Sequence, residues 1–402
     1  MSDIPLPQGF RSAGMHCGVK KDPSIFDLAL FVSDFPCSSA GVFTTNLVHG
    51  APVKVSRERV RRETTRAVVM NSGNSNACTG DRGIEDARWM TALAASQIGC
   101  AAEDVLVCST GVIGRFLPRE PLEAGIKAVA TKLAPTPAAF EAAARGIMTT
   151  DTVPKQSTRT VELDGVAVRI SGCAKGAAMI APNMATMLAV VMTDAALTPL
   201  QADGMLRHAV DRSFNCISVE GHMSTSDTVL LLANGAASGK SQPKPLSDAA
   251  KKQFQTALDE VTAELAQGII RDAEGATHDI TLDVTGLRTR DEAFRIAKAI
   301  ADSPLVKTAI AGADPNWGRI VSAAGYAGVK LAEENISLKV NGMLLYERGV
   351  PLAFDAAAAS ASIKNNRATH VELMLNLGQE SVRFWTCDLT AEYVRLNADY
   401  TT

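Results

Sequence analysis

The sequence predicts an α+β protein, and three observations predict it. Apolar runs of strand length recur at 27–34, 67–73, 104–110 and 186–194. Stretches with helical spacing and recognisable caps alternate with them. Two Asx-Gly dipeptides, Asp164-Gly165 and Asn341-Gly342, sit between strand-like segments and signal hairpins.

The elements follow in chain order. DLALFVSD (27–34), AVVMNSG (67–73) and DVLVCST (104–110) read as strands. GIEDARWMTALAASQIG (83–99) reads as a helix that ends on Gly99 as its C-cap. A helix over 136–148 follows, and then the TRTVEL/VAVRISG hairpin around Asp164-Gly165. TMLAVVMTD (186–194) is a strand apolar on both faces. The next helix carries Thr198 as N-cap, Pro199 at its first position and Gln201 completing a capping box. Residues 248–271 form a longer helix, with Phe254, Leu258, Val261 and Leu265 at helical spacing. A second capping box is expected from Thr289 to Glu292. SGKSQPKPLS (238–247), polar and with two prolines, is the best linker. The Ala-rich DAAAASAS (355–362) reads as a packed helix end, and no internal repeat is visible.

At 402 residues the chain implies two domains or one large two-part domain. A net charge of -3 gives no electrostatic case for nucleic acid or an anionic membrane. The N-terminus lacks a basic and apolar leader, and no apolar run approaches the roughly 20 residues of a membrane helix. A cytoplasmic protein is expected. The eight cysteines are scattered without a C-x-x-C pair, so metal-ligand spacing is absent and small buried thiols are expected. Cys108 and Cys173 lie near the stretches discussed below. There is no G-x-S-x-G, Walker loop, G-x-G-x-x-G or H-E-x-x-H. Of six dispersed histidines, His222 in VEGHMSTSDT is the one in a polar run.

Chemistry centres on AKGAAMIAPNMATMLAVV (174–191). A breaker-rich segment there opens onto an apolar strand through Ala185 and Thr186. Thr186 suits a strand edge simply as a β-branched residue. It also suits a chain cut before it. A hydroxyl needs a base to become a nucleophile. A threonine at a new N-terminus carries one, an α-amine of pKa about 7.7–8.0, close to operating pH. Small Ala185 leaves the attacking hydroxyl uncrowded, and Gly176 and Pro182 allow a bent peptide. STGVIG (109–114) follows an apolar run, so Ser109-Thr110-Gly111 is expected at a turn offering N–H and hydroxyl donors to a developing oxyanion. The plain alternative is a strand-to-helix turn. Thr149-Thr150-Asp151-Thr152 is a further hydroxyl cluster or a simple cap and turn.

GVFTTN (41–46), NSGNSNACTG (71–80), STGVIG, MTTDT (148–152), AKGAAMIAPNMATML (174–188), DAEGATH (272–278), GADPNWGRI (312–320) and YVRLNADYTT (393–402) span nearly the whole chain. On these motifs the sequence closely resembles the ornithine acetyltransferase (glutamate N-acetyltransferase) family of arginine biosynthesis. The resemblance implies an αββα-type sandwich of mixed sheets flanked by helices, shared with self-cleaving aminopeptidases. It implies cleavage between Ala185 and Thr186, giving an α chain 1–185 and a β chain 186–402 that stay together, commonly as α2β2. It implies Thr110 and Gly111 as the oxyanion hole, and substrate contacts from Thr149, Lys175, Thr186, Glu274, Asn397 and Thr402.

The residue types agree with those roles. Lys175 can bind a carboxylate or lower a neighbouring amine's pKa. Glu274, beside Gly275, can pair with a substrate ammonium. Asn397 and Thr402 would bring the C-terminus into the site. The implied reaction is ping-pong: Thr186 takes the acetyl group of N-acetylornithine and passes it to glutamate, with no metal and no cofactor. Nothing in the sequence separates this from additional use of acetyl-CoA. The family commonly reads D-G-D-T-S-T-N-D where this chain has EGHMSTSD (220–227). Glu220, His222, Met223 and Ser226 depart and Asp227 is retained, which puts acceptor preference in question. The alternatives are a self-cleaving N-terminal-threonine aminopeptidase and an uncleaved scaffold protein.

Overall fold

The structure is a computed structural model that describes residues 3–180, 187–239 and 246–399. In chain order the first half runs β1 (Phe10–Met15), β2 (Leu28–Phe43), α1 (Ala51–Arg59), β3 (Thr65–Asn74), α2 (Gly80–Ile98), β4 (Val105–Val112), α3 (Arg119–Ala130), α4 (Pro137–Gly146), β5 (Lys155–Leu163) and β6 (Val166–Lys175). It continues with β7 (Leu188–Thr193), α5 (Pro199–Arg212), β8 (Ile217–Ser218), β9 (Thr228–Ala233) and α6 (Asp248–Arg271). The last third holds β10 (Asp279–Leu287), α7 (Arg290–Ala301), α8 (Pro304–Ala311), α9 (Trp317–Gly325), β11 (Ser337–Val340), β12 (Met343–Glu347) and β13 (Val350–Pro351). It closes with α10 (Ala356–Lys364), β14 (Ala368–Met374), β15 (Glu380–Cys387) and α11 (Ala391–Asp399).

Strand β2 creates the sandwich. Its first half pairs antiparallel with β3, Leu28–Val32 opposite Asn71–Ala67. Its second half pairs antiparallel with β9, Ser38–Phe43 opposite Ala233–Thr228. Between them Asp34, Phe35 and Pro36 are exposed and the register slips. A proline has no N–H to give a ladder and is tolerated at such a break. The strand therefore folds one eight-stranded sheet, ordered β4-β3-β2-β9-β7-β6-β5 with β1 on β2, back over itself.

Alternating side chains fill the layers. Phe31, Val68, Met70 and Leu106 from one half meet Leu188, Val190, Leu230 and Leu232 from the other in one buried cluster. The opposite faces bury Leu28, Leu30, Val69 and Val107 against α1, α2 and α3, and Ala189, Val191, Val229 and Leu231 against α5 and α6. These are the four layers of the expected αββα sandwich. Strand β7, with neighbours on both edges and cores on both faces, has no solvent side, hence its unbroken apolar run.

A second sheet, ordered β13-β12-β11-β14-β10-β15-β8, is built entirely from residues after 216. It packs on α7, and its inner face joins the cluster that covers α6. The eight-stranded sheet instead mixes β1 to β6 with β7 and β9, from either side of position 186. Among the described residues no helix is long and apolar enough to cross a membrane.

Several local expectations hold. Gly99 caps α2 with φ 72°, and Thr198 and Gln201 close a reciprocal capping box. Others are corrected. Thr289 accepts from the Glu292 N–H, but the Glu292 carboxylate reaches one residue further back, to the Arg288 N–H at 3.3 Å and its guanidinium. The Ala-rich segment is a complete helix, α10, capped by Asp355 and burying only Ala359 and Ile363, because alanine offers little apolar area to pack. Of the expected linker, residues 240–245 lie outside the described residues, and Ser247 is already the N-cap of α6.

Candidate active site

A cavity of about 930 Å³ opens where the sandwich meets the second sheet's helices. Thr110 and Gly111 of β4, Thr149, Lys175 at the end of β6, Glu274 and Asn397 of α11 all line it. Ala185, Thr186 and Thr402 lie outside the described residues. The structure thus brings six of the nine predicted residues to one cavity. Met187, the next residue in sequence after Thr186, donates its N–H to Asp227 Oδ1 at 2.9 Å.

The Thr110-Gly111 step does not sit at a turn. Strand β4 continues through Val112, and Gly111 lies within it at φ 127°. The β3–β4 register shifts at Gly73 and Asn74, so the two backbones pinch together. A Cβ on Gly111 would lie 2.4 Å from the Gly73 carbonyl carbon. Glycine is required there by its own neighbour strand rather than by an incoming ligand. The adjoining NSGNSN segment (71–76), whose first four residues end β3, is a buried polar frame. Ser109 donates to Asn71 Oδ1 at 2.6 Å, Asn71 Nδ2 to the Asn74 carbonyl at 2.9 Å, and Asn74 Nδ2 to the Phe116 carbonyl at 3.0 Å.

Lys175 is 2% exposed, and its Nζ donates to Thr110 Oγ1 at 3.4 Å. Burial pushes its ammonium below the ordinary lysine range, while Asp151 opposes the shift. Asp151, in the TTDT segment, turns out to be the anchor of that segment. It accepts from Lys155 Nζ and the Gly176 N–H, both at 2.6 Å, and from the Thr149 N–H at 3.0 Å. Burial alone would raise its pKa; Lys155, Lys175 and the Gly176 N–H outweigh that and hold it at about 2. Lys155 also bridges to Asp272 at 2.6 Å. The hydroxyl cluster 149–152 is therefore a charged clamp that ties the end of β6 to the end of α6.

Sequence reasoning missed Lys20, Asp151, Lys155 and Lys307 as members of this neighbourhood. Lys20 Nζ donates to the carbonyls of Phe26 at 2.8 Å and Met148 at 2.6 Å, and burial lowers its pKa to about 8. Lys307, 2% exposed, donates to Thr386 Oγ1 at 2.8 Å and to the Cys387 carbonyl. A buried charge is legible in sequence only as a lysine inside an apolar helix run, as in PLVKTAIA (304–311).

Glu274 and Asn397 meet although α11 has no buried residue: Asn397 Nδ2 donates to Glu274 Oε2 at 3.1 Å. Gly275 permits a close approach, but of protein rather than ligand, since a Cβ there would lie 2.5 Å from the Tyr393 nitrogen. Glu220 also lines the cavity; burial raises its carboxyl to about 8. Asp227 is likewise pushed well above the carboxylate range by burial. His222 lies exposed on the cavity wall. Cys108 and Cys173 are buried, which raises both thiols to about 12 and makes them poor nucleophiles. Among the described residues no group of three or more His, Cys, Asp or Glu side chains is placed to hold a metal.

The ArgJ family model matches residues 11–402. The chain is 47% identical over 397 residues to the arginine biosynthesis bifunctional protein ArgJ of Rhodopirellula baltica, covering 99% of this chain and 96% of that protein. It is 46% identical over 395 residues to the protein of the same description from Geobacter sulfurreducens, covering 98% and 99%. Among solved structures it is similar to ornithine acetyltransferase complexed with ornithine from Mycobacterium tuberculosis, at 37% identity and a TM-score of 0.42, covering 45% of this chain and 96% of that one. The chain belongs to the ArgJ family.

Proposed function

We propose that this protein is a glutamate N-acetyltransferase of arginine biosynthesis, moving the acetyl group of N2-acetylornithine to glutamate. Membership of the ArgJ family over nearly the whole chain carries this reading. The convergence of Thr110, Gly111, Thr149, Lys175, Glu274 and Asn397 on one cavity supports it.

In this reading the chain cuts itself between Ala185 and Thr186, leaving chains 1–185 and 186–402 associated as α2β2. The Thr186 hydroxyl attacks the acetyl carbonyl, and its own α-amine accepts the hydroxyl proton. Negative charge on the acetyl oxygen is met by the Thr110 hydroxyl and the Gly111 N–H. Lys175 assists by donating to Thr110 Oγ1, which leaves the Thr110 hydrogen free to point at the oxyanion. The amide C–N bond breaks, the amine takes the proton, and ornithine leaves an acetyl ester on Thr186. Glutamate's amine attacks that ester by the reverse path and leaves as N-acetylglutamate. The transfer needs no metal or cofactor, and acetyl-CoA is a second donor to be tested alongside. Thr149, Lys175, Glu274 and Asn397 hold the substrate, with Thr402 as a further contact.

The test is ornithine release from N-acetylornithine, measured with and without glutamate, on protein whose chain masses have been determined. A burst of about one ornithine per site without glutamate, continuous release with it, and a break at 185–186 support the reading. Hydrolysis of peptide amides in its place would favour an aminopeptidase on the same scaffold.

A further inference from the structure

The proposed reaction sets one cavity an electrostatic problem. The donor leaves behind ornithine, whose chain ends in an ammonium. The acceptor, glutamate, ends in a carboxylate. Both amines have to approach the same ester carbon, so both chain ends point to the same part of the cavity. A fixed charge there would attract one chain end and repel the other.

Glu220 has the geometry to serve both. Its Oε1 accepts from the Ile180 N–H at 2.7 Å, which fixes the carboxyl plane in the cavity wall. Its Oε2 is buried and has no hydrogen-bond partner among the described residues. A buried carboxyl oxygen without a partner is costly, and either a proton or a ligand group can relieve it. Four of the other charged residues of the cavity already have partners, while Lys21 and Arg115 also line it. Glu274 Oε2 accepts from Asn397, Lys175 Nζ donates to Thr110, and Lys307 donates to Thr386 and Cys387. Asp302 accepts from Ser218 and Lys298, both at 2.5 Å.

We propose that Glu220 meets both chain ends by changing its protonation: as a carboxylate it accepts from the ornithine ammonium, and as a carboxylic acid it donates to the glutamate side-chain carboxylate. The proposal rests on the transferase reading above. Burial, and the like charge of Glu274, keep the acid form available near neutral pH, while Lys307 and the Ile180 N–H favour the ionised form. Cys387, Tyr393, Asp302 and the exposed His222 complete the titratable surroundings. The proton balance is simple. Ornithine entering the protonated site sends the Glu220 proton to solvent, and glutamate entering leaves it in place.

The experiment is calorimetry of ornithine and of glutamate binding to the wild-type protein at pH 7, each in two buffers of different ionisation enthalpy. Ornithine binding is expected to release close to one proton more than glutamate binding. In Glu220→Gln that difference disappears, because the amide keeps the Ile180 hydrogen bond but cannot ionise. Ornithine then binds about tenfold to a hundredfold more weakly, the worth of a charge-assisted hydrogen bond. Glutamate binding changes by less than about threefold, since the amide N–H still donates. Equal proton release for the two ligands in the wild type overturns the proposal, and so does a Glu220→Gln effect of equal size on both. If the variant fails to fold or to mature, the wild-type comparison decides alone. A wild type that transfers acetyl groups but shows no proton difference refutes the role of Glu220 only. One that neither transfers nor binds ornithine removes the transferase reading as well.

Discussion

Asn397 and Glu274 are joined by a hydrogen bond of 3.1 Å across 123 residues of sequence. This contact attaches an otherwise unburied helix, α11, to the cavity. Asn397→Ala is expected to lower kcat/KM for N-acetylornithine by about tenfold or more, the worth of a hydrogen bond to a charged group. Its unfolding free energy should stay within about 0.5 kcal/mol of wild type, as for other exposed substitutions. Steady-state kinetics beside a urea titration separate the two.

Thr186→Ala is expected to remain one full-length chain and to transfer no acetyl group. Denaturing mass measurement and an ornithine-release assay check the two halves independently. A single uncleaved species that still turns over would sink the N-terminal-threonine mechanism.

Gly111→Ala places a Cβ 2.4 Å from the Gly73 carbonyl carbon at a backbone φ of 127°. Strain of this kind costs about 1–3 kcal/mol at one residue before any clash is counted. The midpoint of denaturant unfolding should fall accordingly. Thr110→Val also removes the acceptor of the buried Lys175 Nζ, so stability should fall by about 1–3 kcal/mol, while kcat falls by about a hundredfold to a thousandfold, the usual loss for one oxyanion donor.

Asp151 is buried between Lys155 and Lys175, and its pKa of about 2 lies below the ordinary 3.8. A depressed carboxylate contributes stability that is present above its unfolded pKa and is lost as pH falls through the folded one. Acid titration should therefore expose this contribution between about pH 4 and pH 2. Asp151→Asn leaves Lys155 with one carboxylate in place of two and is expected to cost about 3–5 kcal/mol, as broken buried pairs do. Thermal melts across that window should show a flatter acid limb in the variant.

Glu220 has the opposite sign. Its folded pKa of about 8 lies above the ordinary 4.5, so the folded state holds a proton that the unfolded state gives up. Its effect on stability worsens as pH rises from about 4.5 to about 8. Glu220→Gln should lose part of that slope in Tm against pH. Asp227, also raised, keeps the remainder.

The sandwich was legible where the local code is strong. Gly99, Thr198 with Gln201, and the Asp164-Gly165 and Asn341-Gly342 turns each act within a few residues, and the structure shows each element they mark. The second sheet was harder to see. Ile280, Leu282 and Val284 alternate with Thr281, Asp283 and Thr285, which is a strand pattern, but a search for unbroken apolar runs passes over it. Nothing local tells that β10 pairs parallel with β14 some 90 residues on.

The site divides in the same way. Thr110, Lys175, Glu274 and Asn397 were found through whole motifs, and the cavity they share rests on long-range packing. In the sequence Asp151 reads only as one residue of a hydroxyl cluster, because its two lysines lie 4 and 24 positions away. The role of Gly111 was assigned to a ligand for a similar reason. The strand that presses on it, carrying Gly73, is fixed only by the β3–β4 register.

Strand β9 lies between β2 and β7, and β7 between β9 and β6. Segments from after position 186 are thus threaded between segments from before it. A cut at 185–186 changes the reaction order of folding. Before the cut, assembly of the sheet is a first-order event along one chain, with loop closure as its entropic cost. After the cut, a molecule that opens must find its other piece in solution, so recovery becomes second order and depends on concentration. Maturation would then convert a protein that can refold into one whose working lifetime is set by how rarely its central strands part.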